Sequence, residues 1–169
     1  RSGDPLFCSV SVANQLGIAP PVGFDDMVRY AAETRLRYEP GSSNLYSNLG
    51  YVVMTKVIEK ASGLPYESFI RDSILSPAGC HDMHIGRSSY EQKFPNEVRY
   101  YEPSDAEPTE AFDGSGRLVP RSYGGCDMQV LSGAGGWVAS PAELMKFITA
   151  IDPGDSRPDI LKPETIAYM

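Results

Sequence analysis

Three consecutive residues, Tyr46-Ser47-Asn48, carry the side chains in this sequence best suited to act together on a substrate. In an extended segment residues i and i+2 project to the same side, so the phenol of Tyr46 and the carboxamide of Asn48 stand next to each other. A phenol can pass a proton, but with an ordinary pKa of about 10 it is a poor base at neutral pH unless nearby cations stabilise its anion. A carboxamide presents both donor and acceptor, which suits it to grip a peptide or lactam amide. The same two residues have a plainer reading, in which Asn48 caps a helix and Tyr46 packs. A motif this short does not choose between them.

The element that must position the triplet follows it directly. From Leu49 onward the apolar residues fall at Leu49, Val52, Val53, Val57 and Ala61, with Met54 and Ile58 widening the stripe. That spacing predicts a helix, and Gly63 sits where a left-handed terminating residue is wanted. Thr55, Lys56, Glu59 and Lys60 share the opposite face. A helix apolar over so much of its girth is expected to be central. Ahead of the triplet, Pro40-Gly41 makes a turn, and Ser42, Ser43 and Asn44 keep the chain irregular.

The rest of the chain reads as helices joined by loops. Residues 1–23 are expected to be loop, bounded by Pro5 and by Pro20-Pro21. Phe24, Met27, Val28, Ala31 and Leu36 mark a helix, with Asp25 and Asp26 in its first turn and Arg35 and Arg37 in its last. Pro65 opens another, lined by Tyr66, Phe69, Ile70 and Ile74 and stopped at Ser76-Pro77. Residues 86–125 form a long irregular acidic loop, in which Val98–Tyr101 and Arg117–Val119 are expected to pair as a small hairpin. Gly133 to Gly136 read as a tight turn. Ser140, Pro141 and Glu143 then spell a capping box for a helix with Leu144, Phe147, Ile148 and Ile151 on its apolar face. A last helix opens at Pro163-Glu164.

Composition narrows the partners. A net charge of -7 argues against nucleic acid and anionic membrane surfaces. No apolar run approaches the roughly 20 residues of a membrane span, and no signal peptide opens the sequence. Cys8, Cys80 and Cys126 are an odd set, which reads as small buried hydrophobes more than as a disulfide framework, although one bridge remains compatible with the count. Cys80, His81, Asp82 and His84 have a spacing that invites zinc, but a structural site needs four ligands. The reading calls for no cofactor and no metal.

The segments around the triplet resemble the serine β-lactamase and penicillin-binding protein family, most closely its class C β-lactamase and D-alanyl-D-alanine carboxypeptidase branch. There a phrase of the form F-x-P-G-x-x-x-x-Y-S-N-x-G-Y leads into a helix, and its Tyr-x-Asn is the second of three catalytic motifs. Tyr38-Glu39-Pro40-Gly41 and Tyr46-Ser47-Asn48-Leu49-Gly50-Tyr51 match that phrase. Gly63-Leu64-Pro65-Tyr66, Pro77-Ala78-Gly79 and Gly133-Ala134-Gly135-Gly136 are similar to further landmarks, and Ser2-Gly3 to the tail of an H-x-S-G phrase. The resemblance implies acyl transfer on a β-lactam, a cell-wall D-Ala-D-Ala peptide or a related amide or ester, with Tyr46 handling a proton and Asn48 holding the substrate amide. It also implies a periplasmic or extracellular setting.

The other two catalytic motifs of that family are not spelled here. The residues three before Lys56, Lys60, Lys93, Lys146 and Lys162 are Val53, Val57, Tyr90, Glu143 and Asp159, so no Ser-x-x-Lys exists. No Lys-Thr-Gly or similar strand follows Gly136, and no G-x-S-x-G elbow is present. The expectation is therefore a fragment: a mainly α single subdomain over residues 1–169, the helical lobe of the β-lactamase and transpeptidase-like fold with a small hairpin and without most of the α/β sheet. Such a piece is expected to be inactive alone, because nucleophile, base and orienting group must lie within reach of one another. The alternatives are a non-catalytic peptidoglycan-binding or regulatory relative, and an unrelated helical domain with a chance Tyr-Ser-Asn.

Overall fold

The computed structural model describes residues 4–152 and 159–169. The Ser2-Gly3 pair lies outside them. In chain order the elements are a 3-10 turn Pro5–Phe7, α1 Ser9–Leu16, α2 Phe24–Glu33, α3 Asn48–Ser62, α4 Tyr66–Ile70 running on as a π turn Arg71–Leu75, β1 His84–Ile85, β2 Thr109–Glu110, β3 Leu118–Val119, α5 Met128–Leu131, β4 Trp137–Val138, α6 Pro141–Ile148 and α7 Pro163–Tyr168. Helices dominate, with two small antiparallel sheets among the described residues. The chain divides into two compact units, one from Arg1–Thr55 and Gly86–Gly136, the other from Lys56–Ile85 and Trp137–Met169.

The first unit is built on Leu6, Val12, Ala13, Val22, Met27, Val52 and Leu131, all buried in one cluster. The N-terminal stretch expected to be loop holds α1 instead. Its Ser-Val-Ser-Val opening carries no helical periodicity in sequence, but burial of Val12 and Ala13 against that cluster, with Gly17 closing the helix at φ +66°, makes it helical. α2 ends earlier than its charge pattern suggests. Thr34 turns extended and its hydroxyl donates to the Tyr30 carbonyl at 2.8 Å, leaving Arg35 and Arg37 beyond the helix.

α3 begins and ends as its spacing predicts, with Gly63 at φ +73°. Its packing differs from expectation. Val52 and Thr55 are the buried residues, while Tyr51, Met54 and Val57 are each more than half exposed. Thr55, placed on the polar face by pattern, is 3% exposed and returns its hydroxyl to the Val52 carbonyl at 2.6 Å, which satisfies a buried polar atom locally. The reason is Gly133. A Cβ built there would lie 2.1 Å from Thr55 Cγ2 and 3.0 Å from the Tyr51 carbonyl oxygen, so this glycine permits close approach to α3, beyond making a turn.

The 86–125 stretch contains a 3-10 turn Tyr90–Gln92 and a hairpin, but the hairpin partner of β3 is β2, with Thr109 opposite Val119 and Glu110 opposite Leu118. Val98–Tyr101 is not its partner, being drawn instead to Tyr123, whose hydroxyl accepts from the Tyr100 amide at 2.8 Å.

In the second unit β1 and β4 pair antiparallel, His84 opposite Val138 and Ile85 opposite Trp137. Leu75, Ala78, Cys80, Met83 and Ala150 form its core. Ser140 caps α6, its hydroxyl accepting from the Glu143 amide at 3.2 Å. The reciprocal half of the box is absent because the Glu143 carboxylate is engaged elsewhere. It accepts from the His81 and Asp82 amides at 2.7 and 3.2 Å and pairs with Lys146. Lys146 first, and those amides with it, hold the Glu143 carboxyl below its ordinary value of 4.5.

Candidate active site

The Tyr-x-Asn triplet stands where an irregular segment enters α3, with Asn48 its first residue. Ser47, not Asn48, supplies the capping side chain, its hydroxyl accepting from the Gly50 amide at 3.2 Å. That leaves the Asn48 amide available. The Tyr46 hydroxyl donates to Asn48 Oδ1 at 2.9 Å, so phenol and carboxamide do share one direction. Asn48 is half-buried and Tyr46 is 72% exposed. The Tyr46 ring lies beside Tyr51, centroids 5.9 Å apart and planes tilted by 40°.

A third residue completes the arrangement. Asn48 Nδ2 donates to Asp4 Oδ2 at 2.7 Å, across 44 positions of sequence. Asp4 Oδ1 accepts from the Leu6 amide at 3.1 Å, capping the 3-10 turn that buries Leu6 in the core. Sequence reasoning passed over Asp4 as part of a loop, although an aspartate directly before proline is a helix-start signature.

The Cys80–His84 segment is distributed among structural tasks. The Cys80 thiol faces the Glu143 carbonyl at 3.3 Å, the His81 amide donates to the Glu143 carboxylate, and His84 Nε2 sits 3.3 Å from Asp82 Oδ1. The three cysteines are free thiols; burial, foremost, pushes that of Cys126 upward.

The acidic stretch builds an aromatic-lined cavity of about 700 Å³. Tyr90 and Tyr100 flank Tyr123 with centroids at 5.2 and 5.6 Å, and the Arg99 guanidinium lies over the rings of Tyr90 and Tyr101 at 5.6 and 5.1 Å. Burial, with a hydrogen bond to Glu97, pushes the Tyr100 phenol up to about 12. Tyr46 and Asn48 do not line this cavity.

The family model described as Beta-lactamase matches residues 9–169. The chain belongs to the beta-lactamase family. Penicillin-binding protein 4* of Bacillus subtilis is 46% identical over 48 residues, which cover 28% of this beta-lactamase-family chain and 11% of that protein. Human serine beta-lactamase-like protein LACTB, named as mitochondrial, is 27% identical over 148 residues, 79% of this chain and 24% of its own. Among solved structures, D-amino acid amidase from Ochrobactrum anthropi SV3 complexed with L-phenylalanine superposes with a TM-score of 0.64 at 26% identity, covering 100% of this chain and 46% of that one. The chain thus spans less than half the length of each of these relatives. No helix among its described residues is long and apolar enough to cross a membrane.

Proposed function

We propose that this chain contributes the Tyr-x-Asn element of a serine hydrolase that works by acyl transfer on a β-lactam, a cell-wall D-Ala-D-Ala peptide or a related amide or ester. The observation that carries the reading is the exposed Tyr46 hydroxyl held 2.9 Å from the Asn48 amide, inside a chain of the beta-lactamase family. On this reading a serine of a Ser-x-x-Lys segment attacks the carbonyl. Its proton is managed by that lysine and by Tyr46, while Asn48 hydrogen-bonds the substrate amide. Relatives named as a penicillin-binding protein and a D-amino acid amidase support a lactam or amide substrate.

The nucleophile and the Lys-Thr-Gly-like strand are not spelled in these 169 residues, so on this reading the chain alone performs no turnover. It represents the mainly helical lobe, with most of the α/β sheet supplied by other sequence, and the working enzyme is periplasmic or extracellular. No cofactor enters the mechanism.

A fluorescent penicillin tests this reading. The full-length protein is expected to form a covalent acyl adduct that survives denaturation, and the 169-residue piece to form none. A full-length protein that retains the probe reversibly and never covalently would instead be a binding relative.

A further inference from the structure

The geometry points to Asp4 as the residue that sets the direction of the hydrogen bond between Tyr46 and Asn48. This assignment rests on the acyl-transfer role proposed for that pair. A carboxamide is nearly symmetric in shape and can present either its oxygen or its NH2 to a given neighbour, so something must fix which. Here the fixing group is a carboxylate. An ionised carboxylate only accepts, so its contact with Asn48 at 2.7 Å must be made by Nδ2. Oδ1 is then turned toward Tyr46, and the phenol at 2.9 Å must be the donor. Were the amide turned over, its NH2 would face the phenol and the proton in that hydrogen bond would run the opposite way.

Asp4 is itself held in place. Its second oxygen accepts from the Leu6 amide at 3.1 Å, and Leu6 is 4% exposed in the core shared with Val52 of α3. One aspartate therefore ties the Asn48 amide to the buried core of its unit. Ser47 relieves Asn48 of the capping task, so nothing in α3 competes for the amide. Asp4 touches neither Tyr46 nor, on this account, any substrate. It is a positioning residue acting through Asn48.

The test separates positioning from capping. Asp4→Ser keeps a short oxygen for the Leu6 amide and gives up the reach to Asn48, whereas Asp4→Glu keeps a carboxylate. In the full-length protein, with D-alanine p-nitroanilide or a chromogenic cephalosporin as substrate, Asp4→Ser is expected to lower kcat by roughly 10- to 100-fold, with KM moving much less. Asp4→Glu is expected to recover part of that loss. The Asn48 side-chain NH2 protons, assigned by NMR against Asn48→Asp, are expected to be shifted and slow to exchange in wild type and ordinary in Asp4→Ser. Wild-type kcat in a folded Asp4→Ser, or a loss of activity matched by a loss of folded protein, overturns the assignment. So does an Asn48 amide indifferent to Asp4. If Tyr46→Phe turns over normally, the catalytic reading of the pair falls by itself, and the amide spectra alone then decide whether Asp4 holds Asn48.

Discussion

Replacing Gly133 by alanine strikes the contact that seats the first turns of α3. The added Cβ would lie 2.1 Å from Thr55 Cγ2, 1.3 Å short of the 3.4 Å at which ordinary van der Waals contact starts (3.4 − 2.1), so one of the two must shift. Thr55 cannot readily yield, being 3% exposed with its hydroxyl bonded to the Val52 carbonyl at 2.6 Å. Overpacking of this kind costs about 1–3 kcal/mol, while the alanine's reduced freedom in the unfolded chain returns about 0.4–1 kcal/mol. A net loss of about 1–2 kcal/mol is expected. Thr55→Ser removes Cγ2 and keeps the hydroxyl, leaving the Tyr51 carbonyl at 3.0 Å as the nearest remaining obstacle. Relief should therefore be partial, with a coupling of about 1 kcal/mol between the two substitutions. Urea unfolding of the four proteins of this cycle, followed by far-ultraviolet circular dichroism, gives the number. If Gly133→Ala costs the same in both backgrounds to within about 0.5 kcal/mol, the two residues do not couple and the packing argument fails.

Other expectations follow from the charged and aromatic networks. Glu143→Ala leaves the His81 and Asp82 amides without their acceptor and should cost on the order of 2–4 kcal/mol of stability, readable by thermal or urea unfolding. Acid should weaken the fold with a defined sign. Glu143, held low by Lys146, and Glu59, held low by Lys56, have folded-state values depressed below 4.5. Their contribution is present above about pH 4.5 and is lost as pH falls through the lower folded values. Glu143→Gln should flatten part of that decline in the unfolding midpoint. At the alkaline end Tyr100, pushed up to about 12 by burial and its hydrogen bond to Glu97, should keep its proton well past pH 10 in an NMR titration. The stabilisation tied to its protonated form is lost as pH rises from about 10 towards 12.

Helix positions were legible wherever a 3.6-residue period met a capping signal: Gly63 closes α3, and Ser140 with Pro141 opens α6. Burial was not, since an apolar stripe identifies a helix without naming what covers it. Hence Tyr51, Met54 and Val57 stand exposed where a central helix was expected, and Thr55 is buried because a glycine 78 positions later (133 − 55) comes against it. The hairpin was misassigned for a similar reason, because two short runs can each pair with β3 and the tyrosine cluster decides which one is drawn off. At the site, Tyr46 does stand beside Asn48 as read, although Asn48 is the first residue of α3 and not part of an extended segment. The link from Asp4 to Asn48 was invisible, because a partner 44 residues away leaves no periodicity to find.

Tyr46→Phe in the full-length protein bears most directly on the catalytic claim. Loss of a proton-handling phenol should lower kcat by roughly 10²–10⁴-fold. A ring that is 72% exposed should meanwhile leave stability within about 0.5 kcal/mol of wild type. Wild-type turnover in the folded variant would contradict the account.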